Sequence, residues 1–163
     1  MSKIVIIGAG AMGTAFSLPC LDNNHDINIV GTHLENDFID RLKKNKNLHP
    51  GLNIEIPEQI KIFKFEKFDK ILNSKVDLIV LGISSKGIDW VADQLSRLYE
   101  GKNLPNLLML TKGLSIYKNN YELLVDKLEL SLIHISEPTR QAEMGYAGFW
   151  VEKKGGGGGG GGG

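Results

Sequence analysis

The residues whose chemistry is easiest to infer are the glycines of "GAGAMG", residues 8–13. They directly follow the apolar run "IVII" and open a segment of helical character, the context that gives a G-x-G-x-x-G pattern meaning. At such a turn, backbone N–H groups and the positive end of the helix dipole favour a bound phosphate. The stretch predicts a turn that binds the diphosphate of a dinucleotide. A packing turn that holds no ligand is the alternative.

Each glycine of this turn has its own predicted role. Gly8 permits the tight turn, Gly10 lets a diphosphate approach the backbone, and Gly13 lets the helix pack closely on the strand. The predicted binding residues of the turn are Gly8, Ala9, Gly10, Ala11, Met12 and Gly13.

The end of the second apolar run, "VGTHLEND", is the place where an Asp or Glu would bind the ribose hydroxyls of NAD. Gly31, Thr32 and His33 stand there instead, and Glu35 comes slightly later. Without an acid at the strand end to repel a 2′-phosphate, NADP is permitted. Thr32 and His33 are candidate donors to that phosphate, or else exposed loop residues. The cofactor is predicted as NAD or NADP, with the choice left open.

Three more polar residues follow later apolar runs. Ser84 and Ser85 come after the fourth predicted strand, where Ser85 is expected to cap the next helix and both can contact a cofactor. Lys112, in "LTKGL", follows the next strand; it can orient a carbonyl and stabilise developing negative charge, or it is simply solvated. His25 and His49 are expected in loops, and Cys20 as a small buried residue. No metal-ligand spacing is present, so no metal site is predicted.

An alternation of strands and helices is predicted to position these residues. Strands are expected at 4–7, 27–30, 60–65, 77–83 and 106–113. Helices are expected at 11–21, kinked or ended early by Pro19, at 36–44, capped by Asn36 or Asp37, before the fourth strand, at 86–99, and from 121. This order gives right-handed crossovers and a parallel sheet between helices. The predicted fold is α/β, a Rossmann-like doubly wound parallel sheet.

The bulk properties narrow the class of protein. The 163 residues carry no formal net charge, which does not indicate a nucleic-acid partner. A single cysteine suits a reducing compartment, and no apolar run approaches the roughly 20 residues of a membrane span. We therefore expect a cytoplasmic protein without a membrane span.

Residues 1–129 resemble the N-terminal half of NAD(P)-dependent glycerol-3-phosphate dehydrogenase, closest to its archaeal-type members. The resemblance rests on the ordered set "GAGAMGTAFS", "IVGT", "LHPGLNIEIPEQI", "VDLIVLGISSKGI" and "LLMLTKGL". It implies hydride transfer between C2 of glycerol 3-phosphate and NAD(P)+, giving dihydroxyacetone phosphate. It also implies a catalytic role for Lys112, a phosphorylated small-molecule substrate, and a possible homodimer. Two alternatives stay open: a different two-domain dehydrogenase of the same superfamily, or a non-enzymatic nucleotide-binding module.

Enzymes of this family add a final strand and a helical substrate domain, which residues 1–129 lack. We therefore expect a sheet that is incomplete at its C-terminal edge, and a fragment that binds cofactor weakly and has no turnover. Residues 130–163 follow neither the family pattern nor the α/β rhythm. Reverse translation of "LSLIHISEPTR" reproduces a common sequencing adapter codon by codon, and the nine terminal glycines match the output of a two-colour sequencer without signal. The segment is expected to be non-native and disordered.

Overall fold

The computed structural model describes residues 1–117, 120–132 and 145–146. Strands and helices alternate along most of this chain. Their order is β1 Lys3–Ile7, α1 Ala11–Asp22, β2 Asp26–Val30, α2 Asn36–Lys44, β3 Leu48–His49, β4 Ile54–Glu55, β5 Lys61–Phe63, α3 Phe68–Leu72, β6 Leu78–Leu81, α4 Ile88–Tyr99, β7 Asn106–Met109, β8 Leu114–Tyr117, β9 Asn120–Leu123, α5 Leu124–Leu132 and β10 Gly145–Tyr146. Short 3-10 turns at Phe65–Lys67 and Ser85–Gly87 precede α3 and α4.

The main sheet has the strand order β10-β7-β6-β1-β2-β5, and all of its pairs are parallel. After β1 the chain adds strands on one side, through β2 to β5, and then crosses to add β6 and β7 on the other side. The order therefore reverses between β1 and β6. Parallel strands all end at the same edge, and ligands of such sheets bind beyond that edge where the order reverses. The predicted α/β doubly wound fold is confirmed.

The apolar run of β1 is continuous because the strand is buried on both faces. Val5 and Ile7 belong to one core cluster, together with Val91 and Leu95 of α4. Their neighbours Ile4 and Ile6 belong to a second cluster, whose members include Ile39 and Leu42 of α2. Helices thus cover both faces of the sheet. Strand β1 lies in its interior, and its C-terminal end leads directly into the glycine turn.

The ends of two helices differ from the expectations. Helix α1 does not end early at Pro19 but continues to Asp22, because a proline in the last turn removes only one intrahelical hydrogen bond. The backbone and side-chain N–H groups of Asn23 both donate to the Pro19 carbonyl, at 3.2 and 2.8 Å, where the helix ends. Among the described helices, none is both long and apolar enough to cross a membrane.

Helix α2 spans the predicted residues, but its N-cap is Glu35 rather than Asn36 or Asp37. The Asn36 side chain is used elsewhere: its Oδ1 accepts the Phe65 N–H at 3.1 Å, and its Nδ2 donates to Glu66 at 2.9 Å. Tertiary partners from the segment after β5 therefore draw Asn36 away from the capping role.

The segment after β7 also differs from the prediction. The strand expected at 106–113 ends at Met109, and the helix expected from 121 begins at Leu124. Residues 120–123 instead form β9, which pairs with β8 as an antiparallel hairpin. A second hairpin, β3 with β4, was not predicted either. Both hairpins depend on backbone pairing between two segments. The pattern of apolar and polar residues along one segment does not reveal such pairing.

The edge of the sheet at β7 is paired over two residues. Gly145 and Tyr146 form β10 alongside Leu108 and Met109. For these two residues the structure differs from the expected unpaired edge and disordered segment, because an open edge strand offers N–H and C=O groups to any extended chain. Residues 130–132 also differ from that expectation, since they end helix α5 and Leu132 is buried in the core. The rest of the predicted tail, residues 133–144 and 147–163, lies outside the described residues.

Candidate functional site

The turn after β1 takes a conformation that requires glycine at its first position. Gly8 has a φ of +106°, and its N–H donates to the Val30 carbonyl at 2.8 Å. A Cβ placed on Gly8 would lie 2.7 Å from the carbonyl oxygen of Gly82. Both the backbone angle and the lack of space therefore exclude a side chain, and the tight turn predicted for Gly8 is present.

Gly13 and Gly82 bring helix α1 into direct contact with the sheet. A Cβ on Gly13 would lie 2.6 Å from the Gly8 oxygen, and a Cβ on Gly82 would lie 2.8 Å from the Gly13 Cα. The close packing predicted for Gly13 is thus observed, and its partner is Gly82, directly after β6. Sequence reasoning missed Gly82; the signal available was a small residue at the strand end in "VLGIS".

Gly10 differs from the other two glycines because nothing crowds it. It is the N-cap of α1, with no heavy atom within 4 Å of a Cβ placed on it and no side-chain cap. The N–H groups of the first helical turn have no partner inside the helix, and the helix dipole is positive there. Ala11 and Met12 beside it are exposed. Space, backbone donors and the dipole together fit a phosphate group of a nucleotide.

Glu35 links the glycine turn to the end of β2. Its Oε1 accepts the Ala9 N–H at 3.0 Å, and its Oε2 accepts the Thr32 N–H at 2.8 Å. The sequence reasoning that no acid stands at this strand end is therefore corrected. The acid is supplied from the N-cap of α2, and a short turn between residues 32 and 35 carries it back to the edge of the sheet.

His49 holds the other side of Ala9, and the expectation that it is a plain loop residue is wrong. The side chain is 3% exposed. Its Nδ1 accepts the Leu52 N–H at 3.2 Å, so Nε2 carries the proton and donates to the Ala9 carbonyl at 3.3 Å. The assignment of the tautomer follows from these partners. Both polar backbone groups of Ala9 are therefore held by side chains.

His33 lies among aromatic side chains. Its ring centroid is 5.0 Å from that of Trp90 on α4 and 6.2 Å from that of Phe65, which follows β5. Thr32 is half-buried, and its N–H is the group that Glu35 accepts. The structure therefore brings Thr32 to the glycine turn through Glu35, and His33 to an aromatic cluster beside it.

The predicted residues after β6 and β7 lie at the same edge of the sheet. Ser84 and Ser85 are exposed, but Ser85 is not a helix cap: Ser84 is the N-cap of the 3-10 turn, and Gly87 is that of α4. Thr111 donates its hydroxyl to the Ile83 carbonyl and joins the ends of the two strands. Lys112 follows it and is exposed.

Two further predictions concern groups outside this edge. Cys20 is half-buried, and burial raises the pKa of its thiol, which disfavours the nucleophilic thiolate. Within the described part of the chain, no group of three or more His, Cys, Asp or Glu side chains could hold a metal ion.

Known proteins match this chain over most of its length. The NADP(+)-dependent glycerol-3-phosphate dehydrogenase of Archaeoglobus fulgidus is 29% identical over 117 residues, which cover 72% of this chain and 33% of that protein. A glycerol-3-phosphate dehydrogenase (NAD(P)+) of Bacillus pumilus is 32% identical over 103 residues, which cover 63% of this chain and 28% of that protein. The chain therefore spans about a third of the length of these relatives.

The fold agrees with these matches. The crystal structure of glycerol-3-phosphate dehydrogenase from Coxiella burnetii superposes with a TM-score of 0.63 at 22% identity, covering 80% of this chain and 38% of that one. The family described as the N-terminus of NAD-dependent glycerol-3-phosphate dehydrogenase matches residues 3–136, which include nearly all of the described strands and helices. This chain belongs to that family.

Proposed function

We propose that the chain is the NAD(P)-binding domain of a glycerol-3-phosphate dehydrogenase. The observation that carries the proposal is the open space at Gly10, at the uncapped N-terminus of α1. Neighbouring atoms occupy the space beside Gly8 and Gly13, so among the three glycines only Gly10 leaves room for a ligand. That pattern is what a diphosphate-binding turn needs and what a plain packing turn does not.

The residues of the sheet edge divide the binding work. Backbone N–H groups of the first turn of α1 would hold the diphosphate, since they have no partner inside the helix and no side chain caps them. Ser84 and Ser85, exposed beyond β6, would contact the coenzyme on the other side of the point where the strand order reverses. When bound, the nicotinamide supplies the site that accepts or donates a hydride.

Lys112 is the residue of this chain that we propose to face the substrate. Its side chain is exposed beyond β7, at the same edge as the two serines. An ammonium group near a carbonyl oxygen orients the carbonyl and stabilises the negative charge that develops there during reduction. In the proposed reaction that carbonyl is C2 of dihydroxyacetone phosphate, which becomes the C2 hydroxyl of glycerol 3-phosphate. Lys112 is therefore the proposed catalytic residue.

The substitution Gly10→Ala tests the proposal in the full 163-residue chain. A methyl group at this position meets no protein atom within 4 Å, so it is expected to leave the fold intact while it fills the space for the diphosphate. Titration with NADH and NADPH, followed by nucleotide fluorescence, should show binding to the wild-type chain. The dissociation constant of the variant should be at least tenfold larger, a loss of about 1.4 kcal/mol in binding free energy. Equal affinity in wild type and variant, or no binding by the folded wild-type chain, contradicts the proposal.

The two alternatives from the sequence are less well supported. The family match and the named relatives favour glycerol-3-phosphate dehydrogenase over another dehydrogenase or a non-enzymatic module. We also propose a cytoplasmic homodimer for the parent enzyme, and we propose that the sequence from about residue 130 is not native but replaces the natural continuation of the reading frame. Sequencing the genomic locus past codon 129 tests the last point. Continuation of the reading frame through "LSLIHISEPTR" would contradict it.

A further inference from the structure

A surface cavity of about 280 Å³ lies beside the C-terminal half of α2, and none of its lining residues belongs to the glycine turn. Helix α2 with its C-cap and the segment after it supply the lining: Phe38, Arg41, Leu42, Asn45, Leu48 and Pro50. Ligand pockets in proteins usually measure about 300–1,000 Å³. The cavity is therefore close to the lower limit of that range, a size that suits a small organic molecule.

The local sequence explains how the cavity forms. The four lining residues of α2 and its C-cap are spaced three, one and three positions apart, so they lie on one face of the helix. The chain then turns back tightly: the Asn47 N–H donates to the Leu42 carbonyl at 2.9 Å, and the Leu48 N–H donates to the Asn45 carbonyl at 2.8 Å. This turn brings Leu48 and Pro50 to the same cavity as the helix face.

The buried part of the lining is apolar, and two polar side chains lie at its exposed part. Leu42 is 2% exposed, and Phe38 and Leu48 are partly buried. Arg41 and Asn45 are exposed. Within the described part of the chain, neither of these two side chains makes a hydrogen bond or a salt bridge. A guanidinium and an amide are thus both available to a ligand that places its apolar part against the leucines and the phenylalanine.

We infer that this cavity is a binding site for a small apolar carboxylate, separate from the sheet edge where the coenzyme is proposed to bind. Arg41 carries the one charge among the six lining residues. A guanidinium binds a planar carboxylate through two parallel hydrogen bonds, and the Asn45 amide can donate a third. A phosphate dianion would leave one of its charges unbalanced and would gain nothing from the apolar walls.

The cavity is connected to the glycine turn through His49. The rings of Phe38 and His49 are in contact, with centroids 5.4 Å apart, and His49 donates to the Ala9 carbonyl at 3.3 Å. Gly51 comes close to α1, since a Cβ placed on it would lie 3.9 Å from the Ala11 Cβ. A ligand against Phe38 therefore stabilises the residues that hold the turn. We expect its binding and that of NADH to strengthen each other, a consequence that rests on the proposed function.

Phenylacetate is the probe for this site, and phenylacetamide and acetate are its matched controls. Phenylacetamide keeps the ring without the charge, and acetate keeps the charge without the ring. Titration of the full 163-residue chain, followed by its amide NMR signals, should give a dissociation constant of about 1 mM or tighter for phenylacetate. Each control should bind at least about tenfold more weakly. If either control binds as tightly as phenylacetate, the inferred combination of apolar wall and guanidinium is wrong.

Two exposed residues of α2 give a matched pair of variants. Arg41→Gln removes the charge at the cavity and should weaken phenylacetate at least about fivefold, while phenylacetamide binds as before. Lys43→Gln removes a positive charge from the same end of the helix but does not line the cavity, so it should keep the wild-type affinity. Neither residue takes part in a described salt bridge, so both variants should fold. An equal loss in both variants would show general charge attraction and overturn the inference.

A titration of phenylacetate in the presence of NADH separates this inference from the proposed function. Saturating NADH should tighten phenylacetate about fivefold, the low end of coupling between two sites. If NADH displaces phenylacetate, the probe occupies the coenzyme edge and the inference is wrong. Unchanged phenylacetate affinity would contradict the link through His49. If NADH does not bind the folded chain, the proposed function is wrong, and the phenylacetate titrations still decide the inference.

A second copy of the chain is the other occupant that the same titrations detect. If a second copy covered the cavity, phenylacetate would bind more weakly as the chain concentration rises. Such a dependence would overturn the inference, whereas an affinity independent of chain concentration supports it.

Discussion

The close contact between Gly82 and Gly13 predicts that a side chain at position 82 lowers the free energy of unfolding. In Gly82→Ala the new Cβ would lie 2.8 Å from the Gly13 Cα, 3.2 Å from the Gly13 nitrogen and 3.5 Å from the Ile7 oxygen. All three atoms belong to the backbone, so no side chain can rotate away. The first turn of α1 has to move off the sheet, and the turn that carries Gly10 moves with it.

The size of the effect follows from two opposing terms. Overpacking of a well-packed core costs about 1–3 kcal/mol. Replacing glycine by alanine also restricts the unfolded chain, which stabilises a protein by about 0.4–1 kcal/mol where the backbone angles allow it, and Gly82 is not among the glycines with positive φ. The steric term is larger, so Gly82→Ala should lower the free energy of unfolding by about 1–2 kcal/mol.

Urea denaturation followed by circular dichroism measures this change. Gly10→Ala is the control, since its methyl group meets no atom within 4 Å. The loss of a favourable N-cap residue and the gain in unfolded-state entropy nearly cancel there, so its stability should stay within about 0.5 kcal/mol of wild type. Both variants should bind NADH more weakly, but for different reasons. Gly82→Ala weakens binding because it displaces the first turn of α1, whereas Gly10→Ala fills the space for the diphosphate and leaves the fold unchanged. If Gly82→Ala is as stable as the wild-type chain, the inference that helix α1 packs against Gly82 without room for a methyl group is wrong.

Two more predictions concern buried hydrogen bonds. The Tyr99 hydroxyl donates to the Leu72 carbonyl at 2.8 Å, and Tyr99→Phe should cost about 1 kcal/mol in urea denaturation. Burial raises the pKa of Tyr99 from 10.0 to about 12. The stabilisation of the fold by its protonated hydroxyl is therefore complete below pH 10 and is lost as the pH rises towards 12. If the wild-type chain lost no stability relative to Tyr99→Phe over this range, the reasoning would be contradicted. His49→Leu removes two buried hydrogen bonds, one to the Ala9 carbonyl, which keeps only the Thr14 hydroxyl at 3.3 Å, and one from the Leu52 N–H, which keeps only the backbone carbonyl of residue 49 at 3.2 Å. This loss should cost about 1–3 kcal/mol and weaken NADH binding. Unchanged NADH affinity would show that His49 does not position the turn.

The parts of the site that local sequence encodes were predicted well. The apolar run of β1 and the three glycines after it needed no partner to be recognised, because strand burial and backbone angles depend on the residues themselves. The same holds for β2 and for the bounds of α2. The roles of Ser84, Ser85 and Lys112 stay predictions, although all three lie at the expected edge.

Other features depended on which segments meet. The sequence suggested that no acid acts at the end of β2, yet Glu35 reaches the glycine turn because α2 is close to Gly31. His49 was expected to be a loop residue, yet the hairpin of β3 and β4 buries it against Ala9. Spacing along the chain does not report such contacts, since each joins residues at least 26 positions apart.

The sequence by itself determined the α/β alternation, the tight turn at Gly8 and the helix that starts after it, because these follow from apolar patterning and from the backbone freedom of single residues. Only the tertiary structure decided that Gly82 is the packing partner of Gly13, and that a carboxylate and an imidazole hold Ala9 from two sides. The physical reason is that steric exclusion and hydrogen bonds act over a few ångströms in space, whatever the distance along the chain.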